Sequence, residues 1–403
     1  MYALYRPQPT NRKIYVYDTD VKPVGMISEY ESLQMERNHF GIGPFELLLP
    51  EMAKDATTLK KDCLISLGQS GARAGIVRKV ETDQDRTTGL RTGMAKVSGY
   101  MLKGAARWRT IVAPTQDEDP GALGWDRVFG KAEEIYRHYM NRHIVAPTDP
   151  NRKLPGIILD ALANPPRGIE SPWQSKQGEK LPDVLEEIGN WTDMGWDIRL
   201  DIQNKRGVFV CIPGRDFTLG NSEGNSPVLF SGRMLNLQSV RYVLDLLEFT
   251  NSPYFAGAGT DEQQLVMAAY FNDDGTRTDE PKTGWDRLED WINVGAAETP
   301  DVLLMEGSQR YADSRRFIQG LEAQVLSTGP FKYGIDWDVG DRVTTVVDVL
   351  GQRLRLDTRI IMVREIYERS AVGIDVVVGA NELTLRDRLN VLRKEGQNGS
   401  TRT

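Results

Sequence analysis

The sequence predicts a β-dominated α+β fold, in which two small antiparallel β-barrel or sandwich domains enclose inserted α+β domains. Short apolar segments of strand length, separated by polar turns, recur through residues 1–112 and return in residues 326–403. Apolar residues at helical spacing occur between these two β-rich parts. A chain of 403 residues is long enough for several domains, and we expect four.

Residues 1–112 are expected to form an N-terminal β domain. Phe45–Leu49 and Cys63–Leu67 are apolar segments of strand length, and each is followed by turn-forming residues. A helical turn is expected over Met101–Trp108, after the last strand of this domain. Short strands at such spacing are typical of sandwiches and barrels.

Residues 113–225 are expected to form an α+β insertion domain. Apolar residues at helical spacing predict helices over Trp125–His143 and Leu181–Met194, the second with proline in its first turn. Trp196–Ile212 is typical of a β-hairpin. The tract Asp216–Ser226 is rich in Gly, Ser and Asn, and it is expected to be a linker at the domain boundary.

The remaining sequence is divided into a middle α+β domain, 226–325, and a C-terminal β domain, 326–403. A long amphipathic helix is expected over Val302–Val325. In the C-terminal domain, valines and threonines alternate over Val343–Val349, which predicts a strand with one buried face. A short helical tail is expected over Glu382–Leu392.

Composition excludes several classes of function. The net charge of −7 and pI of about 5.3 argue against a broad nucleic-acid-binding surface. No apolar stretch is long enough to span a membrane, and the N-terminus lacks a secretory signal pattern, so synthesis in a cytoplasm is expected. Cys63 and Cys211 favour buried free thiols. Only three histidines are present, which disfavours a zinc site: His39, His138 and His143.

Two clusters of acidic residues raise the question of a metal site. The first lacks the closing Glu of a calcium loop and has apolar residues between its carboxylates, so a turn leading into the last β domain is favoured. The second lies on one predicted helix, where a solvated face is the simpler interpretation. We expect no metal and no cofactor. The clusters are Asp336, Asp338 and Asp341, and Glu133, Glu134 and His138.

A basic cluster surrounds one tryptophan at the end of the N-terminal domain. Lys103, Arg107 and Arg109 flank Trp108. Nucleic-acid binding would need more aromatic residues and a less acidic chain. A structural or subunit-contact role is favoured, since Arg and Trp are enriched at protein interfaces.

Paired acidic residues near tryptophans suggest a second class of function. Glu186 and Glu187 are followed by Trp191 and Trp196, and Trp173 precedes them. A glycosidase needs two carboxylates across a groove, and aromatic rings can support a sugar. The alternative function is therefore a protein that binds cell-wall glycan or degrades peptidoglycan. No nucleophile, phosphate-loop or metalloprotease motif occurs in the sequence.

Three segments carry a family pattern: GMISEYESLQMERNHFGIGPFELLLP (Gly25–Pro50), VSGYMLKGAARWRTIV (Val97–Val112) and YGIDWDVGDRVTTV (Tyr333–Val346). In order and spacing they resemble the baseplate-hub proteins of long-tailed bacteriophages, also called tail-tip hub or tail-associated-lysin-like proteins. Between residues 113 and 325 the resemblance rests on the order of elements. The matching positions are Gly99, Leu102 and Arg107 or Arg109 in the second segment, and Asp336, Trp337, Gly340, Asp341 and Val343 in the third.

The resemblance implies a structural, non-enzymatic protein of the virion, located at the phage tail tip. It implies a homotrimeric ring that closes the tail tube, with a lumen through which the tape-measure protein and DNA pass without specific binding. The implied partners are the tail tube or distal tail protein and the fibres, spike or receptor-binding proteins. Many relatives continue into a cell-wall hydrolase. Because this sequence ends at Thr403, soon after the last β domain, no such activity is expected.

Overall fold

The computed structural model describes residues 12–68, 71–84, 91–234, 236–247, 249–259, 263–272, 276–295, 297–314, 318–325, 329–369 and 372–379. The helical tail expected over Glu382–Leu392 lies outside these residues. The chain forms two compact units. The first comprises the described residues of Met1–Ser239, Gln324–Val346 and Arg353–Val376, and the second those of Val240–Ala323, Val347–Gln352 and Val377–Thr403.

Strands dominate the chain, as the sequence predicted. Strands and helices are numbered in chain order. The first twelve strands are β1 Ile14–Tyr17, β2 Pro23–Ile27, β3 Ser32–Asn38, β4 Pro44–Pro50, β5 Leu64–Leu67, β6 Ala74–Gln84, β7 Arg91–Met101, β8 Trp125–Lys131, β9 Ile157–Leu159, β10 Glu170–Lys176, β11 Gly195–Asp201 and β12 Arg206–Ile212.

In the second half of the chain, the described residues add twelve further strands and a third α-helix. The strands are β13 Asp216–Phe217, β14 Leu229–Ser231, β15 Leu237–Asp245, β16 Ser252–Ala256, β17 Val266–Ala268, β18 Tyr270–Phe271, β19 Arg277–Thr278, β20 Glu289–Asn293, β21 Ile318–Val325, β22 Arg342–Val349, β23 Gln352–Glu368 and β24 Val372–Gly379. The α-helices are α1 Ala132–Met140, α2 Leu181–Thr192 and α3 Pro300–Ser314.

Short helical turns complete the secondary structure. None of the described helices is long and apolar enough to cross a membrane. A π-helical turn, Asn141–Val145, continues α1. The 3₁₀ turns are Ala56–Thr58, Leu102–Trp108, Pro150–Arg152, Gly232–Met234 and Gly284–Asp286.

The main sheet of the first unit joins strands from both ends of the sequence. Its strand order is β24-β23-β3-β4-β7-β6-β5-β1-β2. β23 lies antiparallel to β3, with Glu365 opposite Met35. The path is open at β2, and within the described residues no sheet closes into a barrel. The barrel alternative of the prediction is therefore not realised there.

This sheet is buried on both faces where β5 and β6 lie side by side. On one face, Ile65 and Val77 pack in a core with apolar side chains of the other strands of this sheet. Leu64 and Ile76, on the opposite face, pack into a second core with the two helices of the first unit. A strand covered on both faces is rich in apolar residues, which explains the three apolar residues of LISL in β5. The fourth residue, Ser66, is buried with its hydroxyl donating to Gly68 O at 3.2 Å. Helix residues of the second core include Ile135, Tyr136, Tyr139, Val184, Leu185 and Ile188.

Some predicted elements are confirmed. α2 follows the expected helix closely and has Pro182 in its first turn. β11 and β12 form the expected antiparallel hairpin. Cys63 and Cys211 are free and buried, and burial raises the pKa of Cys63 to about 11 and that of Cys211 to about 12.

Two predicted helices are wrong in part. Trp125–Lys131 is strand β8, which pairs with β10 so that Val128 lies opposite Trp173, and α1 begins only at Ala132. The helix predicted to end at Val325 stops at Ser314, and β21 follows. Leu321, Ala323 and Val325 are buried at period two, which is a strand pattern that the helical spacing concealed.

The polar tract Asp216–Ser226 is a folded loop rather than an open linker. Its first residues form β13, which pairs in parallel with β22. Asn221 Nδ2 donates to Thr218 O at 2.7 Å, and Asn225 Nδ2 donates to Asp216 O at 2.9 Å. These side-chain bonds take the place of a regular ladder and fix the loop.

The core of the second unit is built on a small three-stranded sheet and one helix, α3. β16 is its central strand, flanked by β17 antiparallel and β20 parallel. α3 packs on one face, where Gly307 lies so close to the ring of Phe255 that a Cβ would collide with it. The core is completed by Phe271 stacked on Tyr311, with ring centroids 4.0 Å apart.

Candidate functional site

The acidic segment before β22 is a turn held by its own carboxylates. Asp336 Oδ2 accepts a bond from Lys332 N at 2.6 Å, and Asp341 Oδ2 accepts one from Asp338 N at 2.8 Å. Asp341 also forms an ion pair with Arg215, at 2.6 Å. Among the described residues, no group of three or more His, Cys, Asp and Glu side chains could hold a metal ion. The carboxylates of Asp336 and Asp341 therefore stabilise the turn by accepting backbone hydrogen bonds.

Gly340 is required by this turn for two reasons. Its φ of 94° is a left-handed value that favours glycine, and a Cβ would collide with the ring of His39. Its N–H donates to Ile360 O at 2.7 Å, which ties the turn to β23. Burial lowers the pKa of His39 well below its usual value, so the imidazole beneath the turn is neutral.

Trp337 fills the space under the same turn and is completely buried. Its ring meets Phe230 edge-on with centroids 5.3 Å apart, and Tyr333 at 4.8 Å. Trp337 therefore anchors the turn to the chain segment that contains β14. Its role is packing, since the ring reaches no solvent.

Behind the turn, β23 supplies a completely buried carboxylate, Glu365. Arg73 Nε donates to both of its oxygens, at 2.9 and 2.6 Å, and Tyr333 Oη donates at 2.8 Å. Tyr367 Oη donates as well. Burial raises the pKa of Tyr333 and of Tyr367, so both hydroxyls keep the proton that they donate.

Arg37 of β3 extends this group toward the turn. Its Nη1 donates to Tyr333 Oη at 2.7 Å and pairs with Asp338 at 2.6 Å. Nearby anionic groups keep the guanidinium charged although it is buried, because the charge interactions outweigh desolvation. We call this group the buried ion cluster, and its members are Arg37, Arg73, Tyr333, Asp338, Glu365 and Tyr367.

Lys103 of the basic cluster points into the first unit. Its Nζ donates to Asn38 O at 2.6 Å and Trp196 O at 3.1 Å, and lies 4.7 Å from the centroid of the Trp196 ring. Burial lowers the pKa of Lys103 to about 8, although the Asp197 carboxylate acts in the opposite sense. Lys103 therefore donates hydrogen bonds to backbone carbonyl groups inside the first unit and is not placed to bind a ligand at the surface.

The other basic residues lie at the surface but are already engaged. Arg107 Cζ lies 4.7 Å from the ring centroid of Tyr100, and Arg78 Cζ lies 5.1 Å from that of Trp108. Arg109 Nε donates to a backbone carbonyl, Arg152 O, at 2.6 Å. Arg107 and Trp108 are exposed, whereas Lys103 is not, so the four residues do not form one basic patch.

The helix candidates for a metal site are separated from one another. Glu133 forms a two-point ion pair with Arg167, at 2.8 and 3.0 Å. Glu134 accepts a bond from Lys131 N at 2.8 Å and caps α1. His138 instead bonds to Asp126, at 2.7 Å.

Asp126 is a residue that sequence reasoning missed. It is fully buried on β8 and also meets His143, at 3.2 Å, so one carboxylate joins two histidines. Burial would raise the pKa of Asp126, but the bonds from His138 and His143 outweigh it and hold the value at about 2. The misassigned helix concealed this group, because its strand places Asp126 on an inward face.

The tryptophans expected to support a sugar are turned inward. Trp173 and Trp196 are buried, and Trp196 Nε1 donates to Phe40 O at 2.7 Å. Trp191 is half-buried, with its Nε1 donating to Ser171 Oγ at 3.2 Å. The carboxylate of Glu186 lies against Gly41. These rings belong to the core of the first unit and offer no platform.

The third segment of the family pattern, Tyr333–Val346, includes the turn and two members of the buried ion cluster, Tyr333 and Asp338. A family model described as "Siphovirus ReqiPepy6 Gp37-like protein" matches residues 13–380. The chain belongs to this family. No curated protein matches the sequence. The family resemblance stated from the sequence is confirmed.

Solved structures share the fold at low sequence identity. The 43 kDa tail protein of prophage MuSo2 from Shewanella oneidensis has a TM-score of 0.56 and 12% identity, covering 91% of this chain and 98% of that chain. A tail protein from Neisseria meningitidis MC58 has a TM-score of 0.52 and 13% identity, covering 91% of this chain and 96% of that chain. Prophage tail protein gp18 from Listeria monocytogenes EGD-e has a TM-score of 0.52 and 10% identity, covering 95% of this chain and 98% of that chain. The chain thus has the fold of phage tail proteins.

Proposed function

We propose that this family member is a structural, non-enzymatic baseplate hub at the tail tip of a long-tailed phage. The observation that carries the proposal is the fold it shares, over most of both chains, with proteins named as phage tail proteins. The family match to residues 13–380 supports it. Of the metal-binding candidates on α1, Glu134 caps the helix and Glu133 pairs with Arg167.

In this proposal three subunits form a ring that closes the tail tube. Each subunit contributes β-rich segments from both ends of its sequence, and in the first unit these segments share one sheet. The ring contacts the tail tube or distal tail protein and carries fibres, a spike or receptor-binding proteins. The tape-measure protein and DNA pass through the lumen, where a net charge of −7 favours passage without binding.

The mass of the purified chain in solution tests the ring. Analytical ultracentrifugation is expected to give three times the chain mass of 45.3 kDa. Labelled antibody against the chain should mark the tip of purified tails in electron micrographs. A stable monomer that is absent from tails would contradict the proposal.

A surface variant tests which residues contact a neighbouring subunit. Arg107→Glu combined with Trp108→Ala removes two exposed side chains at the end of the N-terminal β-rich segment. We expect the trimer to dissociate while the circular dichroism spectrum of the subunit is unchanged. Lys205→Glu, at the exposed tip of the β11–β12 hairpin, is the matched control. If both variants stay trimeric, these residues lie outside the interface.

A further inference from the structure

The small sheet of the second unit has one face packed under α3 and an opposite face that carries an exposed tryptophan. Phe255 and Ile292 lie opposite each other in register and face the core under α3. Tyr254 and Trp291 are the preceding register pair, so their side chains stand on the opposite face. Trp291 is 57% exposed there.

Four side chains on this side form a continuous ladder. The rings of Tyr254 and Trp291 stack with centroids 6.2 Å apart and an interplanar angle of 28°. Arg287 Cζ lies 5.8 Å from the ring centroid of Tyr254 and 5.6 Å from that of Tyr270. Arg287 Nη2 also donates to Tyr254 Oη at 2.8 Å. We call Tyr270, Arg287, Tyr254 and Trp291 the aromatic ladder.

The ladder is held in place before any ligand arrives. Glu289 pairs with Arg287 and fixes the guanidinium between the two tyrosine rings. Asp290 Oδ1 accepts a bond from Trp291 N at 2.7 Å and fixes the backbone beneath the indole. Binding to such a surface costs little ordering entropy. An exposed and preorganised aromatic surface is typical of a binding site rather than of a fold contact.

Polar groups flank the exposed indole on the same face. Glu289 and Asn293 are two residues before and after Trp291 on β20, so both share its face, each about 7 Å away along the strand. Both are exposed. Ala256 and Ala268 on the neighbouring strands are small, so the rings stand above the sheet. The face therefore offers an apolar plate with hydrogen-bonding groups at its rim.

We propose that the aromatic ladder binds a polysaccharide made of neutral or amino sugars. A pyranose ring has an apolar C–H face, which matches the indole of Trp291, and rim hydroxyls, which match Glu289 and Asn293. An open sheet face suits a polymer lying across it better than a small molecule, which needs a concave pocket. The site is independent of the hub proposal, since it concerns one unit of a single chain.

Charge decides against a polyanion as the ligand. The one cation of the ladder, Arg287, is paired with Glu289, which shares the face of Trp291 on β20. Proteins that stack nucleic-acid bases on aromatic rings add an excess of Lys and Arg along the backbone path. Because Glu289 neutralises Arg287, the ladder offers no net positive charge to phosphate or uronate groups, which favours uncharged or positively charged sugars.

Calorimetric titration of the full chain with three hexasaccharides tests the proposal. The probes are cellohexaose, hexaglucosamine and hexagalacturonate, which are neutral, basic and acidic respectively. We expect the first two to bind, and the third to bind about tenfold more weakly or worse. Binding that is strongest for the uronate, or absent for all three sugars, would overturn the proposal.

Variants locate the binding. Trp291→Ala is expected to weaken binding by about tenfold or more, because it removes the central ring, whereas Trp291→Phe keeps a smaller plate and should keep part of the affinity. Trp285→Ala is the matched control, since Trp285 is 100% exposed but lies in a 3₁₀ turn outside the sheet. Equal binding by all variants, or tighter binding of a single-stranded oligonucleotide that Trp291→Ala abolishes, would refute a glycan site.

Discussion

The two units use the same residue types in opposite ways. In the first, Arg73 and Tyr333 surround the completely buried carboxylate of Glu365. In the second, Arg287 and Tyr254 join Trp291 in a ladder that stands at the surface. The difference indicates that the residue types Arg, Tyr and Glu do not by themselves determine what such a group does. Burial decides whether it stabilises a fold or remains available to a partner.

The physical reason is the cost of removing charge from water. A buried carboxylate must have its hydrogen-bonding capacity filled, and Glu365 receives bonds from one arginine and two tyrosines. Glu289 is exposed and pairs with Arg287 in water, where an ion pair contributes little to stability. Removing a member should therefore destabilise the first unit strongly and the second only slightly.

The largest effect is expected for Trp337→Ala. The ring is 0% exposed and packs against Phe230 and Tyr333, so its loss leaves a cavity and should cost about 4 kcal/mol of unfolding free energy. Urea denaturation followed by circular dichroism measures it. Trp285→Ala, at a fully exposed tryptophan, is the control and should change stability little. Equal losses in the two variants would remove the contrast between buried and exposed rings.

Glu365→Gln should follow, with a loss of about 3 kcal/mol, because it leaves the partly buried Arg73 without its charge partner. The amide has nearly the shape of the carboxylate, so the loss reports charge and hydrogen bonding rather than packing. The same denaturation experiment applies. Glu368→Gln on the same strand is exposed and should cost little. A stable Glu365→Gln protein would show that the buried ion cluster tolerates a neutral centre.

Local patterns in the sequence predicted much of the fold but little of the cluster. Pro182 and the apolar spacing after it place α2, and alternation places the β11–β12 hairpin. Arg73 and Glu365, however, are 292 residues apart, and no local pattern links them. β8 was taken for helix because Val128 matches helical spacing, while its pairing with β10 is a tertiary contact.

The aromatic ladder was missed for a similar reason. Trp285–Trp291 has the composition of a helical segment, but it consists of a 3₁₀ turn followed by β20. Only the parallel register of β16 and β20 brings Tyr254 beside Trp291. Exposure also cannot be read from residue type, since Trp173 and Trp196 are buried whereas Trp291 is not.

Another buried carboxylate, Asp126, adds a pH dependence to the first unit. Its pKa is held at about 2, below that of an unfolded aspartate, so it contributes stability above about pH 4 and loses it as pH falls toward 2. The loss should amount to about 2 kcal/mol. Denaturation at pH 5, 4, 3 and 2 measures the unfolding free energy of the unchanged protein and of Asp126→Asn. The difference between the two should shrink as the pH falls over this range. A constant difference would mean that His138 and His143 do not hold the carboxylate charged. Asp117→Asn, at an exposed site, is the control.

The smallest effect is expected for Trp291→Ala, and it is the sharpest test of the comparison. The indole is 57% exposed and its main ring contact is Tyr254, so the substitution should cost about 1 kcal/mol or less. Differential scanning calorimetry measures the change. A loss as large as that of Trp337→Ala would mean that the ladder holds the second unit together. A small loss combined with lost sugar binding would mean that the indole is kept at the surface for a partner, since the fold has almost no need of it.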